Sequence, residues 1–233
     1  MLTVILCICL GLCASAVGDD QYIYFDFVRQ WGPNCCYQSH CREIPKEIRS
    51  WTIHGLWPSY NASSYPFDCE GKSCRFDESA VTDLLPQLDV EWPSDQKGGD
   101  VSFWTHEYCK HGTCCKDILP KEHDYFSHAL ALHHKLDIGA VLASANMTPD
   151  LHQSYSFEQL GAALAEGLGT KYATYWCRFV KESGMSKQLI TQISVCVDKE
   201  LIVRNCPESR GHACHPEEPF YLLPWDILNS NKL

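Results

Sequence analysis

Fifteen cysteines in 233 residues constrain this fold more than any other feature of its sequence. A chain kept in a reducing compartment rarely carries so many. In an exported chain they read as disulfides that staple the fold. The N-terminus agrees with export. Residues 1–18 contain no charged side chain, Val4 to Leu12 is a short apolar run, and Ala14-Ser15-Ala16 and Val17-Gly18 supply the small residues of a cut site. The run is too short to span a bilayer. Residues 1–18 are therefore expected to be a secretory signal peptide, cut after about 16–18, and 19–233 the mature domain. Cleavage removes Cys7, Cys9 and Cys13 and leaves 15 − 3 = 12, an even number. The sequons Asn61-Ala62-Ser63 and Asn146-Met147-Thr148 add two candidate glycosylation sites, Asn61 and Asn146.

The mature chain has the makings of one core. It is 45% apolar and 12% aromatic, and no Gly/Ser/Pro linker divides it. The formal charge, 19 − 29 = −10, excludes a general counterion-release binder of duplex DNA but leaves room for a locally basic cleft. Gln21 to Gln30 reads as a strand broken by Trp31-Gly32-Pro33-Asn34, and Trp51 to Trp57 as a second, stopped by Pro58. Helical spacing marks Glu78 to Leu85 before Pro86, Val101 to His111 with Gly112 as its C′ residue, Asp124 to Leu136, and Ile138 to Ala145. Ser156 caps a helix to Leu168 that Gly169 closes. Ala173 to Lys181, Gln188 to Asp198 and Leu201 to Arg204 are strands. Strands at both ends with helices between them predict an α+β single domain: a central antiparallel β-sheet flanked by helices and stabilised by disulfides.

Two segments carry unusual chemistry, Trp51 to Pro58 and Phe103 to Cys114. On a helix, His106 and Lys110 are i,i+4, as are Glu107 and His111, so all four fall on one side. Two imidazoles, an ammonium and a carboxylate make a poor core face. Near a helix C-terminus the dipole favours the protonated imidazole, and such a cluster can hold a phosphate and move protons. In the first segment strict alternation puts Thr52, His54 and Leu56 on one strand face and Ile53 and Gly55 on the other. Gly55 beside His54 marks a close approach by another group. Trp51, Trp57 and Trp104 read individually as core, although the flat apolar surfaces of Trp51 and Trp57 also suit stacking on bases. A zinc site is the sharper rival, yet His106 and His111 are i,i+5 and diverge by roughly 140° at 3.6 residues per turn. Cys109, Cys114 and Cys115 are better placed in disulfides than on a metal.

Ile53-His54-Gly55-Leu56-Trp57-Pro58, followed by His106-Glu107-x-x-Lys110-His111-Gly112-Thr113-Cys114, resembles the two active-site signatures of the ribonuclease T2 family of secreted and lysosomal or vacuolar acid ribonucleases. The resemblance runs from about Tyr22 to Phe220 and takes in Gln30-Trp31, Tyr60-Asn61, Tyr65-Pro66, Asp83-Leu84-Leu85 and Glu91-Trp92-Pro93. It implies an endonuclease that cleaves single-stranded RNA by attack of the 2′-hydroxyl on the adjacent phosphorus, with a 2′,3′-cyclic phosphate as intermediate. It further implies His111 as general base, His54 as general acid, His106 on the phosphate, and Lys110 and Glu107 stabilising the transition state or tuning His111. Trp57, Gln30 and Tyr60 are the implied substrate-binding residues. The resemblance asks for no metal or other cofactor, no membrane and no obligate protein partner. It fits a monomer that is secreted or delivered to a lysosome or vacuole.

The resemblance implies bridges between Cys35 or Cys36 and Cys41, Cys69 and Cys114, Cys177 and Cys214, and Cys196 and Cys206. Cys74 with Cys115 is then a further expected bridge, running beside Cys69–Cys114. After Leu-Trp-Pro, where many members carry Asp or Asn, this chain has Ser59, which removes a group able to read a base edge. A non-enzymatic binding protein on the same scaffold is the remaining alternative; loss of a catalytic histidine would favour it, but all three are present.

Overall fold

A computed structural model describes residues 22–182, 184–207 and 214–230. The expected signal peptide lies outside them. The chain runs β1 (Tyr24–Gln30), α1 (Gly32–Cys36), β2 (Thr52–Ser59), α2 (Leu85–Glu91), α3 (Gly99–Lys110), α4 (Glu122–Lys135), α5 (Ile138–Ser144), β3 (Ser154–Tyr155), α6 (Phe157–Leu168), β4 (Thr174–Glu182), β5 (Met185–Val197), β6 (Val203–Arg204), β7 (Phe220–Tyr221) and α7 (Ile227–Ser230). The strands form one seven-stranded sheet in the order β2-β1-β5-β7-β3, with β4 and β6 also pairing to β5. All pairings are antiparallel except β5 with β7, which is parallel. This is the α+β single domain expected from the sequence.

One sheet face is apolar. Phe25, Phe27, Ile53, Leu56, Ile193, Val195 and Val197 are buried there with Trp92, Trp104, Tyr125 and Phe126 from the helical side. The other face carries Asp26, Trp57, Ser194, Thr174 and Gln192. Ile53 and Leu56 both join the core, which strict alternation forbids. The reason is a β-bulge: the register of β1 against β2 slips between Val28 and Arg29, so that Val28 faces Gly55 but Arg29 faces Ile53. His54 is the extra residue, and the bulge turns its ring out of the core toward the polar face. The bulge needs backbone partners, and side chains supply them. The Trp92 indole N–H donates to the His54 carbonyl (2.9 Å), the Trp104 indole donates to the Trp92 carbonyl (2.8 Å), and the Tyr125 hydroxyl donates to the Leu56 carbonyl (3.1 Å).

Three local expectations are corrected. β2 does not stop at Pro58 but continues to Ser59. It is an edge strand, so the missing N–H of Pro58 costs no ladder bond. Pro86 opens α2 rather than ending a helix, because proline at the first turn forfeits only an N–H that has no intrahelical partner. Gly112 is not a left-handed C′ residue; it begins a 3₁₀ turn, Gly112–Cys115. A Cβ there would collide with the Tyr108 ring, so the glycine serves packing. Ser156 and Gly169 cap α6 as expected, with a reciprocal capping box to Gln159 and a left-handed Gly169.

Among the described residues there are five disulfides: Cys36–Cys41, Cys69–Cys114, Cys74–Cys109, Cys177–Cys214 and Cys196–Cys206. The expected Cys74–Cys115 bridge is replaced by Cys74–Cys109. Residues 69–74 run antiparallel to 109–114, so a step forward on one segment is a step back on the other, and both bridges become rungs of one ladder. Cys115 faces inward, fully buried, and Cys35 is half-buried; both are free thiols. Two predictions follow from this ladder. The paired substitution Cys74→Ser/Cys109→Ser should lower stability by about 3–4 kcal/mol, as expected for a loop of this length, read by urea denaturation. Iodoacetamide applied to the unfolded, unreduced protein should label Cys35 and Cys115 and spare Cys74 and Cys109.

Candidate active site

Glu107 is the centre of the site. It lies on the buried side of α3, 1% exposed, where the helix crosses β2. Its Oε2 accepts a hydrogen bond from the Trp57 indole N–H (2.8 Å), and Oε1 has no hydrogen-bond partner. The approach is possible because residue 55 is glycine: a Cβ there would overlap both Glu107 Oε2 and the Trp57 indole nitrogen. The close approach expected at Gly55 is thus made by Glu107 and Trp57.

The histidines gather around this carboxylate. His54 Nε2 is 3.7 Å and His106 Nε2 4.0 Å from Glu107 Oε1. The His54 ring packs edge-on to Trp57 (5.0 Å) and tilts against Phe103 (5.6 Å). His111 stacks on the other side of Trp57 (5.0 Å, 24°), with Tyr65 beyond it (5.8 Å). Lys110 reaches over the Tyr65 ring at 6.0 Å. The four residues of α3 expected on one side are in two rows: Glu107 and His111 buried against β2, His106 exposed and Lys110 half-buried at the rim.

Burial sets the proton affinities. It pushes the Glu107 carboxyl up to about 8, opposed by the Trp57 hydrogen bond and the Lys110 charge. It pulls His54 down to about 4, helped by His106 and Lys110 and opposed by Gln192. His111 falls to about 2, from burial first and then the charges of Lys110, His106 and His54. His106 is also lowered, by burial and by Lys110. At His111 burial outweighs the helix-end field that favours a protonated imidazole, which agrees with the neutral ring expected of a base. A C-terminal field is worth at most about 2 kcal/mol, and a ring enclosed by aromatic walls loses more.

Other expected site residues are placed differently. Trp57 is a wall of the site as well as a stacking surface. Gln30 is buried at the end of β1, paired in register with Thr52 and Gln192, and Tyr60 packs against the core; neither lines the two cavities described here. The first cavity, about 300 Å³, is walled by Trp57, Tyr65 and Trp176, and the first two of these rings also pack against His111. The second, about 350 Å³, adjoins His54 and His106 and is lined by Ser94, Gln96, Ser102 and Phe103. Gln192 was not legible in the sequence: its side-chain amide lies 2.8 Å from His54 Nδ1 across 138 positions. Only the alternation of a polar residue within β5 hinted at it. Among the described residues, the clusters able to share a cation do not include His54, His106 or His111, and Cys109 and Cys114 are committed to disulfides.

Gly55→Ala should be the most damaging single-atom change near this site. Overpacking of this kind costs about 1–3 kcal/mol, and here it also displaces Glu107. Thermal melting should show the loss of stability, and activity should fall further than stability accounts for.

Comparison with known proteins agrees with this geometry. The chain is 37% identical to ribonuclease Oy of Magallana gigas over 209 residues, covering 86% of this chain and 96% of the relative. It is 34% identical to extracellular ribonuclease LE of Solanum lycopersicum, covering 88% of each. Among solved structures it superposes on RNase NT in complex with 5′-AMP with a TM-score of 0.74 at 29% identity, over 88% of this chain and 99% of that one. Residues 21–206 match the ribonuclease T2 family as a whole. The chain belongs to the ribonuclease T2 family of RNA endonucleases.

Proposed function

We propose that this endonuclease cleaves single-stranded RNA without a metal, by transesterification through a 2′,3′-cyclic phosphate. The observation that carries the reading is the placement of two imidazoles, His54 and His111, on either side of Trp57 beside a buried carboxylate, with Lys110 and His106 at the rim. His111, neutral because it is buried, takes the proton of the 2′-hydroxyl as that oxygen attacks phosphorus. The bond from phosphorus to the 5′-oxygen breaks, and that oxygen takes a proton from His54. Water then opens the cyclic phosphate with the two roles reversed. Lys110 and His106 face the charge that develops on the phosphorane. DNA lacks the nucleophile and is not cut. The two cavities flanking the histidines accommodate the bases on either side of the scissile phosphate.

Glu107 and His54, 3.7 Å apart, titrate as a pair that holds one proton between about pH 4 and about pH 8. An anionic phosphate beside His54 draws that proton onto the imidazole, where the leaving oxygen needs it. Activity then requires a neutral His111, above about pH 2, and a protonated pair, below about pH 8. The profile should be bell-shaped and centred on the acidic side.

Export through the secretory pathway, with delivery outside the cell or to a lysosome or vacuole, and glycans on Asn61 and Asn146 complete the reading. Both asparagines are exposed. Among the described residues no helix is long and apolar enough to cross a membrane.

Incubation with single-stranded RNA at about pH 5 in EDTA should give fragments ending in 2′,3′-cyclic phosphate, with none from a 2′-O-methyl control. Cleavage only with added zinc would overturn the reading. His54→Ala and His111→Ala should each lower turnover by about 10²–10⁴-fold with the fold retained. Lys110→Gln provides a signed test. The Lys110 charge lowers His111 and Glu107 alike, so removing it should raise both and shift both limbs of the pH profile upward, besides lowering the rate.

A further inference from the structure

The His54 ring is packed on its sides but tied at one atom. Trp57 and Phe103 fill the space around it without setting which ring nitrogen faces the substrate. Glu107 Oε1, 3.7 Å from Nε2, is beyond hydrogen-bond reach. Among the described residues the ring makes one hydrogen bond, between Nδ1 and the Gln192 side-chain amide at 2.8 Å. A half-turn of the ring would break it and carry Nε2 away from Glu107.

Reaching His54 takes a particular shape of β5. β1 lies between β5 and β2, so the two backbones stand roughly 10 Å apart, and a long side chain is needed to cross. β5 also bulges just before Gln192. Trp176 of β4 faces Gln192 but Cys177 faces Ile190, so Thr191 is the extra residue. Ile190 and Ile193 can then both join the core while Gln192 lies on the polar face. The Thr191 hydroxyl donates to the Trp176 carbonyl (3.0 Å), and the Thr191 carbonyl accepts from the Trp31 N–H (2.9 Å), which holds the bulge. The Gln192 amide makes no second hydrogen bond among the described residues. Burial lowers the proton affinity of His54 most, the charges of His106 and Lys110 lower it further, and Gln192 opposes them.

We propose that Gln192 is a positioning residue for proton transfer at His54, its amide gripping Nδ1 in each protonation state so that Nε2 keeps facing the reacting oxygens. This role rests on the reading above, in which His54 is the proton donor. An amide end suits it because it both donates and accepts. It can donate to Nδ1 of a neutral ring and, after a half-turn about its last bond, accept from Nδ1–H of a charged one. The imidazolium gives its Nε2 proton to the 5′-oxygen as the bond from phosphorus to that oxygen breaks. Nδ1–H stays on Gln192 Oε1, and Nε2 is left with the lone pair that takes a proton from the attacking water.

The test measures kcat against pH for the intact protein and for three variants, because kcat reports groups in the substrate complex. Gln192→Leu should lower kcat roughly ten- to a hundredfold with KM little changed. It should also move the alkaline limb down by about one pH unit, because a partner that favours the charged ring is lost and His54 gives up its proton at lower pH. Gln192→Asn keeps the amide but falls one methylene short, so it should move the limb the same way. Gln192→Glu keeps the reach and adds a negative charge, so it should move the limb upward. A side chain that only packs would leave the limb in place whatever the rate. Limbs that stay put in variants with native melting would overturn the proposal while leaving RNA cleavage in place. If Gln192→Leu does not fold, the asparagine and glutamate variants decide by the same opposite signs. If the unaltered protein cuts no RNA, the cleavage reading fails by itself. An NMR titration of the His54 ring then decides the grip: lowered proton affinity in Gln192→Asn and raised affinity in Gln192→Glu support it, and unchanged affinities overturn it.

Discussion

The site depends on one contact, in which a carboxylate of α3 rests on the backbone of an edge strand. Glu107 can lie against β2 only because residue 55 lacks a Cβ, and it is held there by the Trp57 indole. That contact sets the distance between helix and strand, and so brings His111 of one element to the same tryptophan that His54 of the other touches. The strand would present the wrong face without the bulge at His54. The bulge is stable because Trp92 takes its carbonyl, and Trp92 is itself held by Trp104 of α3. Strand, helix and intervening segment thus share one chain of indole hydrogen bonds that starts and ends beside the chemistry.

The same burial governs function. A carboxylate away from water holds its proton, and imidazoles away from water release theirs. Glu107 and His54 end with one proton between them over the acidic and neutral range, and His111 with none. In the proposed reaction neither the base nor the proton donor then has to be prepared by the solvent. The positive charges at the rim favour an incoming phosphate and depress the imidazoles at the same time, so binding and proton release come from one arrangement.

Much of this was legible from residue order. The helix over Asp124 to Leu136, the Ser156 and Gly169 caps of α6, and the close approach at Gly55 rest on local rules, and local rules held there. The candidate site residues were named from the two signatures, and the fold brings His54, His106, Glu107 and His111 together. What the sequence hid was non-local. The bulge depends on a register slip between two strands, so alternation put Ile53 on the wrong face. Gln192 looks like an ordinary strand residue until the sheet assembles around it. The Cys74 bridge was misread because the antiparallel run of 69–74 beside 109–114 appears only in three dimensions. Pro58 and Pro86 misled for a simpler reason: proline ends an element only where its N–H would have been used.

The disulfide ladder has a consequence for the cell that makes the protein. Its two rungs end on Cys109 and Cys114, which bracket Lys110 and His111 in the chain. The turn is clamped at both ends only where thiols are oxidised. A copy stranded among reduced thiols would lack both clamps on the segment that carries the proposed base. Oxidation is thus a condition on the shape of that turn as well as on its stability.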